Sequence, residues 1–167
     1  MYGHGHAYGR ERAAALGALL VALCLMLIAR PIAQANAAGV PAEVLVILGN
    51  TEGSGIDPQL DKLEALRKPP FDAYPKKTLL QRVELRLTPG GSAEVDLPNG
   101  RKLRLSLLDT LKDGRFRLSL SINKPGQRDY LPVMTVSAAP GDPFFVAGQK
   151  HDGGTLIIGV RAGAVRS

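Results

Sequence analysis

His151 is the residue of this chain best suited to acid–base chemistry, because the other two histidines, His4 and His6, lie near the N-terminus. Lys150 precedes it, and Asp152 and two glycines follow. A histidine base needs a neighbouring nucleophile and an orienting carboxylate, and Asp152 supplies only the carboxylate. Asp followed by Gly is also typical of a turn, so we predict an exposed hairpin tip. Lys150, His151 and Asp152 are candidate binding residues, and no catalytic residue is assigned.

Basic side chains on the polar face of the predicted strands suggest a surface for an anionic polymer. Cross-strand partners are predicted for three of the six: Glu94 for Arg86, Asp96 for Lys102, and Asp96 on the diagonal for Arg104. Arg82, Arg115 and Arg117 have no predicted partner, and the last two are our candidate anion-binding residues. Aromatic residues at a base-stacking spacing are missing, so we expect no nucleic-acid partner.

Oxygen-bearing and glycine residues in the loop 49–55 match no known phosphate or metal motif. The loop lacks a Lys-Ser or Lys-Thr pair and the G-x-G-x-x-G spacing. Asn50, Glu52 and Asp57 could offer oxygens to Ca²⁺, but their spacing fits no calcium loop. Outside the N-terminal segment His151 is the single histidine, which cannot form a cluster, and Cys24 is the only cysteine of the chain. We therefore expect no metal site and no cofactor.

Phe71 and Tyr74 stand among prolines 69, 70 and 75, between the predicted helix and the predicted sheet. Exposed aromatic residues would form a recognition patch. Alternatively, they fill the gap between helix and sheet. We keep both residues as candidate binding residues.

Apolar and polar residues alternate from Thr78 onward, which predicts the elements that position these side chains. The apolar positions are Val83, Leu85 and Leu87; Ala93, Val95 and Leu97; Leu103, Leu105 and Leu107; and Phe116, Leu118, Leu120 and Ile122. A period of two predicts antiparallel strands with one buried and one solvated face. Further strands are predicted at 131–138, 144–148 and 155–161. The last of these is apolar on both faces, so we expect it to be central.

Turn residues predict the strand registers. Three-residue loops at 98–100 and 89–91 predict the pairs Val95 with Leu103, Ala93 with Leu105, and Leu85 with Val95. A two-residue turn at Asp113 and Gly114 predicts the pairs Leu107 with Leu120 and Leu105 with Ile122. This register puts Asp109 on the buried face, so we expect a β-bulge there.

The first half of the domain is predicted to hold one strand and one helix. Residues 43–48 are almost all apolar, which favours a buried strand. Asp57 and Pro58 are typical of a helix start, and Pro69 and Pro70 would end that helix. The sequence thus predicts an α+β, mainly β domain with about seven strands and one short helix, arranged as an antiparallel β-sandwich or a curved meander sheet.

The N-terminal 37 residues are predicted to be a secretory signal peptide with a signal helix, followed by a single domain at 38–167. Arg10 and Arg12 precede the uncharged run 13–29, and small residues alternate from Ala33 to Ala37. Cleavage after Ala35 and cleavage after Ala37 fit equally well. The alternative is an uncleaved anchor, since 17 apolar residues are about the minimum that spans a bilayer. Cleavage lowers the formal charge from +6 to +4.

Length and composition favour one globular domain and exclude a disordered chain, because 45% of the 167 residues are hydrophobic. We expect an exported, non-catalytic module that binds a partner or assists assembly in the bacterial cell envelope. Its partner would be an envelope protein or an anionic polymer, with membrane contact only through the N-terminal segment. One alternative is a small hydrolase that uses carboxylates such as Asp109 and Asp142, with or without Ca²⁺. Another is a membrane-tethered periplasmic accessory domain.

Overall fold

The computed structural model describes residues 39–123, residue 130 and residues 134–163. The described strands are β1 (Val40–Asn50), β2 (Gly55–Ile56), β3 (Lys76–Leu87), β4 (Ser92–Asp96), β5 (Lys102–Thr110), β6 (Phe116–Ile122), β7 (Met134–Ala138), β8 (Phe144–His151) and β9 (Gly154–Ala162). Three short 3₁₀ turns cover Pro58–Leu60, Glu64–Arg67 and Phe71–Ala73. The fold is mainly β, as the alternation predicted. The predicted signal helix and residues 131–133 of a predicted strand lie outside the described residues.

Two sheets contain these strands. One has the order β2-β3-β1-β9-β8 and the other has the order β4-β5-β6-β7. The strand pairs are antiparallel except β2 with β3. Strand β9 lies between β1 and β8, which confirms the prediction that the last strand is central. The described part of the chain has more strands than the seven expected, partly because β2 is too short to show a periodic pattern.

Both sheets contribute to one buried apolar cluster. Its members from the five-stranded sheet are Ala42, Val44, Val46, Leu87, Leu156, Ile158, Val160 and Ala162. Those from the four-stranded sheet and its loops are Val95, Leu97, Leu103, Leu105, Leu107, Leu118, Leu120 and Ala138. Most of these residues occupy every second position of a strand, so the period of two in the sequence is the period of burial.

The five-stranded sheet is also covered on its other face. Leu45 and Ile47 of β1 and Ile157 of β9 form a second buried cluster. The 3₁₀ segment supplies its remaining buried members, Leu60, Leu66 and Phe71. Burial on both faces explains why β1 and β9 read as continuous apolar runs.

The expected α-helix after Asp57 is wrong, because the structure forms 3₁₀ turns there. The start was correctly placed: Asp57 Oδ1 accepts a hydrogen bond from the Gln59 amide at 3.0 Å, and proline is the first residue of the turn. Leu60, Leu63 and Leu66 recur every three residues, and successive amides of this series bond to the carbonyl three residues earlier. A spacing of three aligns side chains along one edge of a 3₁₀ turn rather than an α-helix.

The predicted pairing of β3 with β4 is wrong. Leu85 pairs with Ala42 and Arg86 with Pro41, so β3 belongs to the five-stranded sheet. Residues 88–91 carry the chain from one sheet to the other. Proline and glycine are equally common in a hairpin loop and in a connection between two sheets. The connection forms here because β3 pairs along its length with β1 instead of with β4.

The loop at 98–100 is confirmed, and a second loop turns out to have the same hydrogen bonds. Val95 pairs with Leu103 and Ala93 with Leu105, as predicted. In this loop the Leu97 amide donates to the Arg101 carbonyl, and in the second the Leu111 amide donates to that of Arg115. The turn at 112–114 therefore has three residues instead of two.

This longer turn changes the register of β5 against β6. Leu107 lies opposite Leu118 and Leu105 opposite Leu120, so the predicted pairs, Leu107 with Leu120 and Leu105 with Ile122, are wrong by two residues. The bulge expected near Asp109 is confirmed, because the register shifts between Leu107 and Asp109. The additional residue is Leu108, and its side chain is exposed. Asp109 consequently faces Arg117 on the solvated side.

Candidate binding site

The candidate residues Lys150, His151 and Asp152 lie at the end of the β8–β9 hairpin. His151 still pairs with Gly154, so the turn itself contains only Asp152 and Gly153. Asp152 has φ +42°, and the next glycine has φ +72°. Two successive left-handed residues are typical of a tight hairpin turn. The Asp152 carboxylate lies 3.5 Å from His151 Nε2, while Lys150 and Asp152 are exposed.

The hairpin tip meets the loop that follows β1 at an open polar cleft. Its lining residues are Asn50, Thr51, Glu52, Gly53, Lys76, Asp152 and Gly153. Asn50 and Glu52, two of the oxygen-bearing residues considered for Ca²⁺, thus lie near Asp152. Within the described residues no group of three or more His, Cys, Asp or Glu side chains is arranged to hold a metal ion.

Several basic residues of the polar strand faces are paired with carboxylates. Arg104 lies opposite Glu94 at 2.8 Å, and Lys102 opposite Asp96 at 2.8 Å. The candidate Arg117 lies 3.6 Å from Asp109. Asp109, one of the carboxylates considered for the hydrolase alternative, is itself exposed in this pair. Arg115 is exposed beside the 112–114 turn, and its amide donates to Asp113 Oδ1.

The candidates Phe71 and Tyr74 pack against the outer face of the five-stranded sheet. Phe71 is buried, and its ring meets that of Phe145 edge-on with centroids 5.8 Å apart. Tyr74 is half-buried and covers Gly49, where an added Cβ would lie 2.9 Å from the tyrosine ring. This packing matches the alternative in which both aromatics fill the space beside the sheet. The segment that carries them consists of 3₁₀ turns and not of the predicted α-helix.

A buried charge cluster was missed by the sequence reasoning. Glu43 of β1 is only 2% exposed, and its carboxylate binds the guanidinium groups of Arg82 on β3 and Arg161 on β9. The Arg161 contact measures 2.5 Å, and Arg161 Nε has no hydrogen-bond partner in the described structure. The sequence signal for this cluster is the single glutamate in an otherwise apolar strand. A carboxylate buried in such a strand requires a cationic partner.

Lys77 is a second buried charged residue, with 3% exposure. Its Nζ donates to the Tyr74 carbonyl oxygen. Burial lowers the pKa of Lys77, and the nearby Asp72 carboxylate opposes that shift. Together these contacts anchor the 3₁₀ segment to the start of β3.

An apolar crevice of about 170 Å³ opens between the two sheets, on the side of β7 and β8. Its walls are Leu103, Leu120, Ser121 and Ile122 from β5 and β6, Met134 from β7, Val146, Ala147, Gly148 and Gln149 from β8, and Leu156 and Ile158 from β9. Met134, at the start of β7, is 48% exposed. The sheets therefore leave apolar surface uncovered at this edge.

No protein-family model, curated protein or solved structure matches this chain. The crevice must be interpreted from its own chemistry. Protein ligand sites are mostly apolar clefts with a few polar groups, and here Ser121 and Gln149 are the polar lining residues.

The crevice is suited to binding an apolar group. An apolar cavity of about 150 Å³ is known to stay dry and to take a benzene-sized molecule, so this volume suits one bulky side chain.

The described helical segments include none long and apolar enough to span a bilayer.

Proposed function

We propose that this chain is an exported, non-catalytic module that binds a protein of the bacterial cell envelope through the crevice between β7 and β8. The N-terminal segment supports export, since it combines a basic start, an apolar run and an Ala-x-Ala site. The crevice is the observation that carries the binding function, because its lining is largely apolar and comes from both sheets.

The proposed architecture is an antiparallel β-sandwich. The shared apolar cluster supports it, since side chains from the inner faces of both sheets meet there. In a sandwich, the core is open to solvent along the two sides where the sheets end in edge strands. The crevice occupies one of these sides, where an incoming apolar group would extend the core.

A photo-crosslinking amino acid at Met134 tests the proposed function in cells that make the full chain. We expect it to capture one envelope protein reproducibly, with the cross-linked peptide identified by mass spectrometry. The matched control is the same amino acid at Leu108, which is 45% exposed but lies on β5, away from the crevice lining. Equal capture from both positions, or none from Met134, would contradict binding at the crevice.

A further inference from the structure

The edges of β7 and β8 determine what kind of group can reach the crevice. Among the described strands, β7 pairs only with β6 and β8 only with β9. Each therefore presents one row of backbone amide and carbonyl groups that no other described strand pairs with. An extended peptide adds to such an edge through main-chain hydrogen bonds, and its alternate side chains point to the same face.

Strand β8 is also open to a close backbone approach. Its register against β9 shifts between Ala147 and Gln149, so Gly148 is the additional residue of a bulge. Gly148 lines the crevice with φ +142°, and nothing lies within 4 Å of the position where its Cβ would be. Glycine inside a strand often marks a place where another backbone comes close.

The register shows which β8 side chains a bound segment would meet. Val146 lies opposite Ile158 and Gln149 opposite Leu156, so both point toward the shared core. An added strand would place every second side chain over this same face. The volume of the crevice admits one large apolar side chain, such as Phe or Leu, and is too small for a long lipid chain.

Charge at this end of the molecule favours an acidic partner. Lys150 follows Gln149 directly, and its carbonyl accepts from Asn99 Nδ2 at 3.4 Å, which brings the 98–100 loop beside β8. Neither Lys150 nor Arg101, the residue after that loop, forms an ion pair with the described residues. The residues that line the crevice include no carboxylate. Cations without partners attract carboxylates of an incoming chain.

We propose that the partner contributes an extended, acidic segment that adds as a strand to β8 and inserts one bulky apolar side chain into the crevice. This inference rests on the proposed function and defines the chemistry of its partner. Backbone pairing provides affinity, the crevice selects the apolar side chain, and Lys150 with Arg101 selects the acidic flank.

Synthetic peptides test the inference on the purified full chain by isothermal titration calorimetry. The probe is the capped heptapeptide Glu-Thr-Val-Phe-Val-Thr-Glu, compared with versions that carry Ala in place of Phe or Lys in place of both Glu. We expect the first peptide to bind at micromolar concentration. The other two should bind at least about tenfold more weakly, a difference of about 1.4 kcal/mol.

Matched variants locate the bound peptide. Met134→Glu should weaken binding at least tenfold, whereas Leu108→Glu, at a similarly exposed leucine, should leave binding unchanged. Lys150→Glu should reduce the preference for the acidic peptide over the Lys peptide, while Lys112→Glu, in the exposed 112–114 turn, should not. Thermal melting of each variant checks that it is folded.

Absence of binding at millimolar peptide, or equal binding by wild type and Met134→Glu, would overturn the strand-addition inference. If photo-crosslinking at Met134 still captures a single envelope protein, the proposed function survives and only the partner chemistry is wrong. If the cross-link fails as well, both are wrong.

Discussion

The side chain of Glu43 shows how one charged residue holds three strands together. Its carboxylate lies between Arg161, whose side chain is 17% exposed, and Arg82, whose side chain is 36% exposed. Desolvating ions is costly, so the arrangement is stable only while the carboxylate and its guanidinium partners remain together. The cluster ties β1 to both of its neighbours at a fixed register.

Replacing Glu43 therefore tests this cluster. We expect Glu43→Gln to lower the free energy of unfolding by about 3 kcal/mol, at the lower end of the range for broken buried ion pairs because Arg82 is partly solvated. Urea denaturation measures the change. The control Glu84→Gln alters the exposed residue opposite Glu43 on β3 and should change stability by less than about 0.5 kcal/mol. Equal effects of the two substitutions would contradict the role of the buried cluster.

Glu94 forms an exposed polar network on the outer face of the four-stranded sheet. The Tyr130 hydroxyl donates to Glu94 Oε1 at 2.7 Å, and Arg104 donates to the same oxygen at 2.8 Å while its guanidinium lies over the tyrosine ring. Two hydrogen bonds lower the pKa of Glu94, and the one from Tyr130 has a larger effect than the one from Arg104. The same hydrogen bond raises the pKa of Tyr130.

This network predicts a dependence of stability on pH. A carboxyl with a lowered folded-state pKa stabilises the fold above its unfolded pKa, and the contribution disappears as pH falls through the folded value. We expect Tyr130→Phe to raise the pKa of Glu94 toward 4.5, its ordinary value. An NMR titration of the Glu94 carboxyl carbon measures it. Titration at the ordinary value in the wild type, unchanged in the variant, would show that the network does not form.

Bulges explain the unusual exposure of two leucines at the scale of strands. Leu80 is the additional residue of β3 opposite the step from Val46 to Ile47, and Leu108 is that of β5. Each follows another leucine directly, and a strict period of two would place one residue of each pair on the solvated face. The bulge accommodates this by adding one unpaired residue, and the register shifts by one residue at that point.

The leucine pair of β5 provides a direct comparison, since Leu107 is fully buried and Leu108 is 45% exposed. We expect Leu107→Ala to reduce the free energy of unfolding by about 2–5 kcal/mol through cavity formation. Leu108→Ala, the same substitution one residue later, should change it by less than about 0.5 kcal/mol. Chemical denaturation of both variants measures the difference, and the reverse order would place the bulge elsewhere.

At the scale of the whole molecule, the two open edges beside the crevice differ from the covered outer face of the five-stranded sheet. The 3₁₀ segment closes that face with its own apolar cluster. The crevice between β7 and β8 has no comparable cover among the described residues, and its rim exposes Met134. This asymmetry favours the proposed binding side over the outer face of the five-stranded sheet.

Export is the remaining prediction for the whole chain. Mass spectrometry of the protein released from cells should find a mature N-terminus at Asn36 or Ala38, because signal peptidase cleaves after small alternating residues. The control Ala35→Arg combined with Ala37→Arg should block processing and retain the precursor. A protein that keeps residues 1–37 would favour the membrane-tethered alternative.

How much the sequence could predict depends on how far apart the interacting residues are. The 98–100 loop and the bulge near Asp109 were predictable because alternation, proline and glycine act over a few residues. The three-residue turn at 112–114 carries the same signal, since glycine followed by arginine ends both loops, but that signal also fits a two-residue turn. The spacing of Leu60, Leu63 and Leu66 likewise indicates a 3₁₀ period, whereas the cap residues Asp57 and Pro58 are equally typical of an α-helix.

The sequence by itself determined which residues are buried along most strands and that the fold is mainly β, because the pleat forces alternate side chains onto opposite faces. Only the tertiary structure decided that β3 pairs with β1 instead of β4, that Glu43 meets two arginines, and that an apolar crevice opens beside β8. These features join residues up to 118 positions apart, as Glu43 and Arg161 are. Local patterns carry no information about such contacts, since they depend on which distant strands pair within a sheet and on how the two sheets pack.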